Sequence, residues 1–223
     1  MSMSAVHECQ PAVAVGSPIL DLAALETAPL ERNPFDFLVV PNFVTAEALA
    51  TIIKDYPAIS GPGNFKLEEL DYGVAFAALI AELGGPALRD LVAAKFDVNL
   101  TGHPQTITVR QFSELTDGHI HVDHRTKIIT MLLYFNENWN TEEGQLRFLR
   151  NADDLEDYVA EIAPLGGTML AFRRSDRSFH GHKPFVGERR MIQLAWMRES
   201  TAARVEKRLN RLSKPLRRLL NMS

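Results

Sequence analysis

The sequence predicts an α+β protein in which helices come first and a β-sandwich or jelly-roll core follows. Residues 45–53, 74–83 and 86–95 carry helical spacing, whereas from Gln105 onward the chain breaks into short runs such as QTITVRQF, KIITMLLYF and LRFL. Turn residues punctuate that second half at Asp117-Gly118, Glu143-Gly144, Gly166-Gly167 and Gly187.

Residues 1–26 are small and weakly patterned, so a poorly ordered segment is expected there. Phe35 to Val40 is rich in aromatic and β-branched residues and reads as a strand. Thr45 is placed to cap a helix running to Ile53, and Ser60-Gly61-Pro62-Gly63 reads as a loop. Gly84-Gly85 separates the next two helices. Strands are expected over 105–112, 127–135, 146–149, 168–172, 179–183 and 190–197, with 151–162 as a short helix or acidic excursion between strands. One domain is expected over 27–198, its strand-rich core over 105–198, followed by a basic helix over 199–223.

With 46% apolar residues in 223, the chain is long enough for one buried core and too apolar to be disordered throughout. No apolar run approaches the ~18–20 residues of a membrane span. The single cysteine, Cys9, excludes an internal disulfide and a multi-thiolate metal site. The N-terminus carries no basic leader, so a cytoplasmic setting is the expectation. The net charge of −4 divides unevenly, because 199–223 hold seven Lys or Arg against two Glu. The remaining body is acidic, which argues against a nucleic-acid footprint. In the tail, Val205, Leu209, Leu212, Leu216 and Leu219 fall near helical spacing, interrupted at Pro215. That helix is expected to dock on the acidic body; an anionic membrane surface is the alternative partner.

Two segments carry chemistry: Gly118-His119-Ile120-His121-Val122-Asp123-His124 and Ser178-Phe179-His180-Gly181-His182-Lys183-Pro184. On an extended backbone His121 and Asp123, two apart, share a face and can reach one ion. A further imidazole from the second segment completes a two-His, one-carboxylate set, which leaves open positions on Fe(II). Closed structural zinc sites use four ligands, usually with cysteines that this chain lacks.

The surrounding residues resemble those of the 2-oxoglutarate/Fe(II)-dependent dioxygenases, in particular the prolyl 4-hydroxylase-like branch. The resemblance runs from about Val109 to Trp196. It rests on His121-Val122-Asp123, Tyr134-Phe135-Asn136, Trp139, Gly144-Gln145-Leu146-Arg147, Gly167 to Phe172, His180 with Pro184, Arg189-Arg190 and Trp196. The sequence departs from the family at Glu143-Gly144, where relatives have Gly-Gly, and at Phe112, where relatives often have a tyrosine.

The resemblance implies a double-stranded β-helix (jelly-roll) core with N-terminal helices packed on one sheet. It implies Fe(II), the cosubstrate 2-oxoglutarate, O2 and, as an accessory reductant, ascorbate. His121, Asp123 and His180 would hold the iron, with His182 as a rival to His180. A buried cation would bind the distal carboxylate of 2-oxoglutarate, for which a guanidinium fork is suited. Arg190 is favoured because it lies ten residues after His180 and six before Trp196; Arg189 is the rival on the opposite strand face. Tyr134 and Thr130 are the further cosubstrate candidates. His119, His124, His7 and His103 read as rim or surface residues, and Lys127 as a strand-start lysine near the cavity mouth. Arg147, Arg173, Arg174 and Arg177 read as surface arginines that an anionic substrate could meet. The expected activity is hydroxylation of an unidentified small-molecule or peptide substrate. A metal-binding or sensing jelly roll without turnover is the alternative, and zinc hydrolysis at the same ligands a third reading.

Overall fold

The computed structural model describes residues 18–198. The expectations for residues 1–17, which include His7 and Cys9, and for the basic helix 199–223 lie outside the described residues. The described residues form four α-helices and nine strands. Helices α1 (Leu22–Thr27), α2 (Ala46–Lys54), α3 (Val74–Leu83) and α4 (Pro86–Phe96) fall in the first half. Strands β1 (Phe37–Val40) and β2 (Phe65–Lys66) lie among them; β3 (Gln105–Ser113), β4 (Lys127–Tyr134), β5 (Leu146–Leu149), β6 (Tyr158–Ile162), β7 (Met169–Arg173), β8 (His180–Gly181) and β9 (Gly187–Met197) follow.

The helix boundaries have local causes. Pro86 occupies the first turn of α4, where its missing N–H costs nothing. The Asp55 carboxylate, just past α2, accepts from the Ala75 N–H at 2.7 Å and so caps α3 from a neighbouring element. A Cβ on Gly73 would stand 2.3 Å from Asp55 Cγ, so the approach that makes this cap excludes a side chain there. Thr45 does precede α2 with an extended backbone, but its side chain makes no capping bond.

The strands pair as a six-stranded sheet, β1-β7-β4-β9-β3-β2, facing a three-stranded sheet, β6-β5-β8. The pairings between named strands are antiparallel. Alternation along the central strands sorts side chains into two cores. Ile129, Met131 and Leu133 of β4 and Ile192, Leu194 and Trp196 of β9 face the helices, packing with Ile52, Phe76, Leu79, Leu88 and Phe96. Leu132 and Tyr134, with Met191, face the small sheet and pack with Phe37, Leu146, Phe148 and Phe172. This is a jelly-roll sandwich with helices covering one face of the large sheet, as the sequence predicts.

Two elements differ from expectation. Within 151–162 the structure forms strand β6 at Tyr158–Ile162, paired with β5, rather than a helix. The preceding acidic residues form a turn held by Asn151, whose side-chain oxygen accepts from the N–H groups of Asp153 and Asp154. Residues 22–27, assigned in part to a loose segment, form α1, with Asp21 accepting from Ala24 N–H at 2.8 Å and Leu25 fully buried.

Candidate active site

His121 and His180 come from different segments and are clamped together by backbone. Each donates its N–H to the other's carbonyl at 3.0 Å, forming an isolated antiparallel bridge. The clamp extends through the His182 N–H to the Gly118 carbonyl at 2.9 Å. Gly118 has φ 94°, and a Cβ there would stand 2.4 Å from the His182 carbonyl oxygen, so this crossing requires glycine. Asp123 follows in irregular chain rather than on a strand. The shared face expected from two-residue spacing is replaced by a loop that brings Asp123 to the same point.

His121, Asp123 and His180 each offer one ligand atom, and these atoms lie within 4.8 Å of one another. No other such group of three or more His, Cys, Asp or Glu occurs among the described residues. Nδ1 of His121 lies 2.8 Å from the His119 carbonyl, and Nδ1 of His180 lies 2.9 Å from the Ser178 carbonyl. A carbonyl only accepts, so both Nδ1 atoms carry the proton and both Nε2 lone pairs are free. The Phe172 ring packs 4.7 Å from the His180 ring and fixes its plane. Burial, reinforced by the neighbouring His121, pushes the His180 pKa down to about 4, so the ring is a neutral donor near pH 7.

Asp123 is buried and held at three atoms. Lys127 Nζ donates to Oδ1 at 2.7 Å, Thr130 Oγ1 donates to Oδ2, and Arg174 Nε donates to the backbone carbonyl at 3.1 Å. Burial acts to raise the Asp123 carboxyl; the Lys127 and His180 charges and the two side-chain hydrogen bonds outweigh it and hold the group below the usual carboxylate value. Thr130, expected beside the cosubstrate, is therefore engaged with Asp123.

The two histidines open into a cavity of about 250 Å³ between the sheets, lined also by Leu132, Leu146, His182, Arg189, Met191 and Gln193. Arg189 is 3% exposed. Its Nε donates to the Gly144 carbonyl at 2.9 Å, and its Nη2 donates to the Tyr134 hydroxyl at 3.3 Å. Burial raises the Tyr134 pKa even beside this cation, so the phenol stays protonated. Arg190 points to the other side of the large sheet, where it pairs with Glu188 at 2.6 Å and lies over the Tyr56 ring. Arg190, the arginine favoured from the sequence, thus does not line the cavity, whereas Arg189 does. Lying six residues before Trp196 put Arg190 on the Trp196 face, and that face is covered by helices.

The remaining candidates separate cleanly. His182 is buried in the cavity wall with Nδ1 2.8 Å from the Lys183 carbonyl, but it is outside the three-ligand cluster. Burial, then the Arg189 charge, pushes its pKa down to about 4. His119 and His124 are exposed, and His103 contacts the Met197 carbonyl. Arg147 is buried away from the cavity against Glu156 and Glu161, beneath Tyr158. Arg173 reaches toward Asp36, and Arg177 is exposed. Phe112 pairs with Glu188 across β3 and β9. Sequence reasoning passed over Arg110, which lines the cavity with Asn64 and is ion-paired with Asp117. Its even spacing from Phe112 was the available signal.

Residues 110–198 match the family model of the 2OG-Fe(II) oxygenase superfamily. The structure is similar to a prolyl-4-hydroxylase of Pseudomonas putida, with 18% identity and a TM-score of 0.54 over 84% of this chain and 97% of that one. It is also similar to a Trichoplax adhaerens prolyl hydroxylase in complex with a hypoxia inducible factor peptide fragment (18% identity, TM-score 0.55, 79% and 88% covered). A prolyl 4-hydroxylase of Phytophthora capsici aligns at 16% identity and TM-score 0.53, over 86% and 70%. No curated protein matches the chain. The matched segment carries His121, Asp123 and His180, and the match supports a non-haem iron dioxygenase that uses Fe(II), 2-oxoglutarate and O2. Its fold is that of these prolyl hydroxylases. No helix among the described residues is long and apolar enough to cross a membrane.

Proposed function

We propose that the cavity between the sheets binds 2-oxoglutarate with its keto-acid end at His121, Asp123 and His180 and its distal carboxylate at Arg189 and Tyr134. One observation carries this reading: His121 and His180, two of the three clustered ligands, and the buried Arg189 guanidinium line the same cavity. The donor set suits Fe(II), because two neutral imidazole nitrogens and one carboxylate oxygen leave coordination positions free for other ligands. The far end suits a carboxylate. Arg189 offers a cation and Tyr134 a protonated phenol, where burial strengthens a charge-assisted pair.

Bound there, Fe(II) with 2-oxoglutarate and O2 supplies the oxidation that yields succinate and CO2 and hydroxylates a substrate C–H bond. The protein's part is positional. The carbonyls of His119 and Ser178 hold each imidazole with Nε2 toward the metal position. Lys127 and Thr130 fix the Asp123 carboxylate. Gly144 holds Arg189 through its Nε and so orients the rest of the fork. Leu132, Leu146 and Met191 give the cavity an apolar wall that limits water around the cosubstrate chain. His121, the one exposed ligand, marks the side from which a small-molecule or peptide substrate reaches the metal. A zinc hydrolase at the same ligands would leave Arg189 and Tyr134 without a role.

The test is succinate formation from 2-oxoglutarate by Fe(II)-loaded protein, in wild type and in Asp123→Ala and His180→Ala. Wild-type turnover above a metal-free control, lost in both variants together with Fe(II) binding, is expected. Full turnover in either variant would remove that residue from the ligand set.

A further inference from the structure

Lys127 is the first residue of β4, and its side chain runs back toward the loop that carries Asp123. It is 15% exposed, and its only ion pair among the described residues is with Asp123. The ammonium therefore sits in hydrogen-bond contact with an oxygen of the carboxylate assigned to the metal. Thr130 engages the other oxygen, so one tether is charged and the other is neutral. Arg174 fixes the backbone of the same residue. Asp123 is thus oriented by three contacts, and those from Thr130 and Arg174 remain when Lys127 is replaced.

Charge is different. A monocation beside a ligand oxygen competes with a divalent cation for that oxygen and repels it, and in a partly buried position salt screens the repulsion weakly. We propose that Lys127 is a positioning residue that holds Asp123 in ligand geometry while lowering the site's affinity for divalent metal. The lysine keeps the metal exchangeable, so occupancy follows the free metal concentration. This inference rests on the reading that His121, Asp123 and His180 hold the metal.

The experiment measures the dissociation constant of Mn(II), at fixed pH and ionic strength, for the full chain and four variants. Lys127→Gln removes the charge and keeps a donor, Lys127→Met removes both, Thr130→Val removes the neutral tether, and His180→Ala removes a ligand. Lys127→Gln is expected to bind Mn(II) about tenfold or more tightly than wild type. Thr130→Val is expected to bind more weakly, because it loses orientation without relieving repulsion. Lys127→Met is expected to lower the unfolding temperature of the metal-free protein, since a buried carboxylate loses its partner, and to widen the stabilisation that Mn(II) gives. Unchanged or weaker binding in Lys127→Gln overturns the inference, as does equal tightening in Thr130→Val. A wild type whose Mn(II) binding matches His180→Ala overturns the underlying metal-site reading instead.

Discussion

Arg189→Ala is the substitution that bears most directly on how the cosubstrate is held. The guanidinium is buried, donates to the Gly144 carbonyl and meets the Tyr134 hydroxyl, so the residue is already fixed before any anion arrives. Truncating one partner of a buried, hydrogen-bonded charge pair costs about 2–5 kcal/mol. At 1.4 kcal/mol per tenfold, the dissociation constant for 2-oxoglutarate should rise by about 30- to 3,000-fold. Arg189→Lys keeps the charge and loses the fork, so it should fall between alanine and wild type. Arg190→Ala should change the constant by less than about threefold, because its side chain lies across the sheet with Glu188 and Tyr56. The assay is calorimetric titration of 2-oxoglutarate into Mn(II)-loaded protein without O2. Metal affinity is measured alongside, and it should hold in Arg189→Ala because no hydrogen bond joins Arg189 to the three ligands. A large defect in Arg190→Ala with wild-type binding in Arg189→Ala would refute the reasoning.

Three further outcomes follow from the same structure. Tyr134→Phe removes one hydroxyl from the Arg189 end and should weaken 2-oxoglutarate binding by about three- to tenfold while leaving metal affinity unchanged, as the same titrations would read. Metal-free protein should lose stability on acidification from pH 6.5 towards 4. His180 and His182 have folded values of about 4 against 6.5 unfolded, so in that window the unfolded chain takes up protons that the folded chain refuses. At about 1.36 kcal/mol per unit, His180 alone accounts for up to roughly 3 kcal/mol, and Asp123, held below its ordinary value, adds its own loss only at lower pH. Denaturant titration at stepped pH checks this, and a flat profile between those pH values contradicts it. Phe148→Ala should cost about 3–5 kcal/mol and lower the unfolding temperature, because its fully buried ring packs against Phe35, Phe37 and Phe172 between the sheets; a loss below about 1 kcal/mol would mean that this core is less tightly packed than described.

What the sequence made legible depended on whether the deciding information was local. Helices α3 and α4 were readable because Gly84-Gly85 separates them and apolar residues recur along them. Strand β6 was hidden because its Asp- and Glu-rich approach resembles a polar helix start. Only the fold shows that Glu161 faces Arg147 across to β5. The six residues of α1 are too few to display a period, although Asp21 is a sound capping residue.

The site divides in the same way. The three candidate ligands were visible as residue types at suggestive spacing, but the loop that brings Asp123 beside the two histidines was not. The arginine was decided by strand parity. Met191 and Tyr134 face the small sheet while Ile192 and Trp196 face the helices, so Arg189 rather than Arg190 enters the cavity. Counting back from Trp196 pointed to the wrong face because nothing local says which side of the sheet the tryptophan covers. The pair of Arg110 with Asp117 becomes a neighbour of the site only when separate segments close on one another.

The central claim is that one cavity joins a three-ligand iron site to a buried arginine that selects 2-oxoglutarate. Anaerobic titration of metal-free protein with Fe(II) and then 2-oxoglutarate, followed by visible absorption, tests it most directly. The account predicts a metal-to-ligand charge-transfer band that saturates at one equivalent of each, is lost in Asp123→Ala, and needs far more 2-oxoglutarate in Arg189→Ala. Fe(II) binding with no band at any 2-oxoglutarate concentration would contradict it.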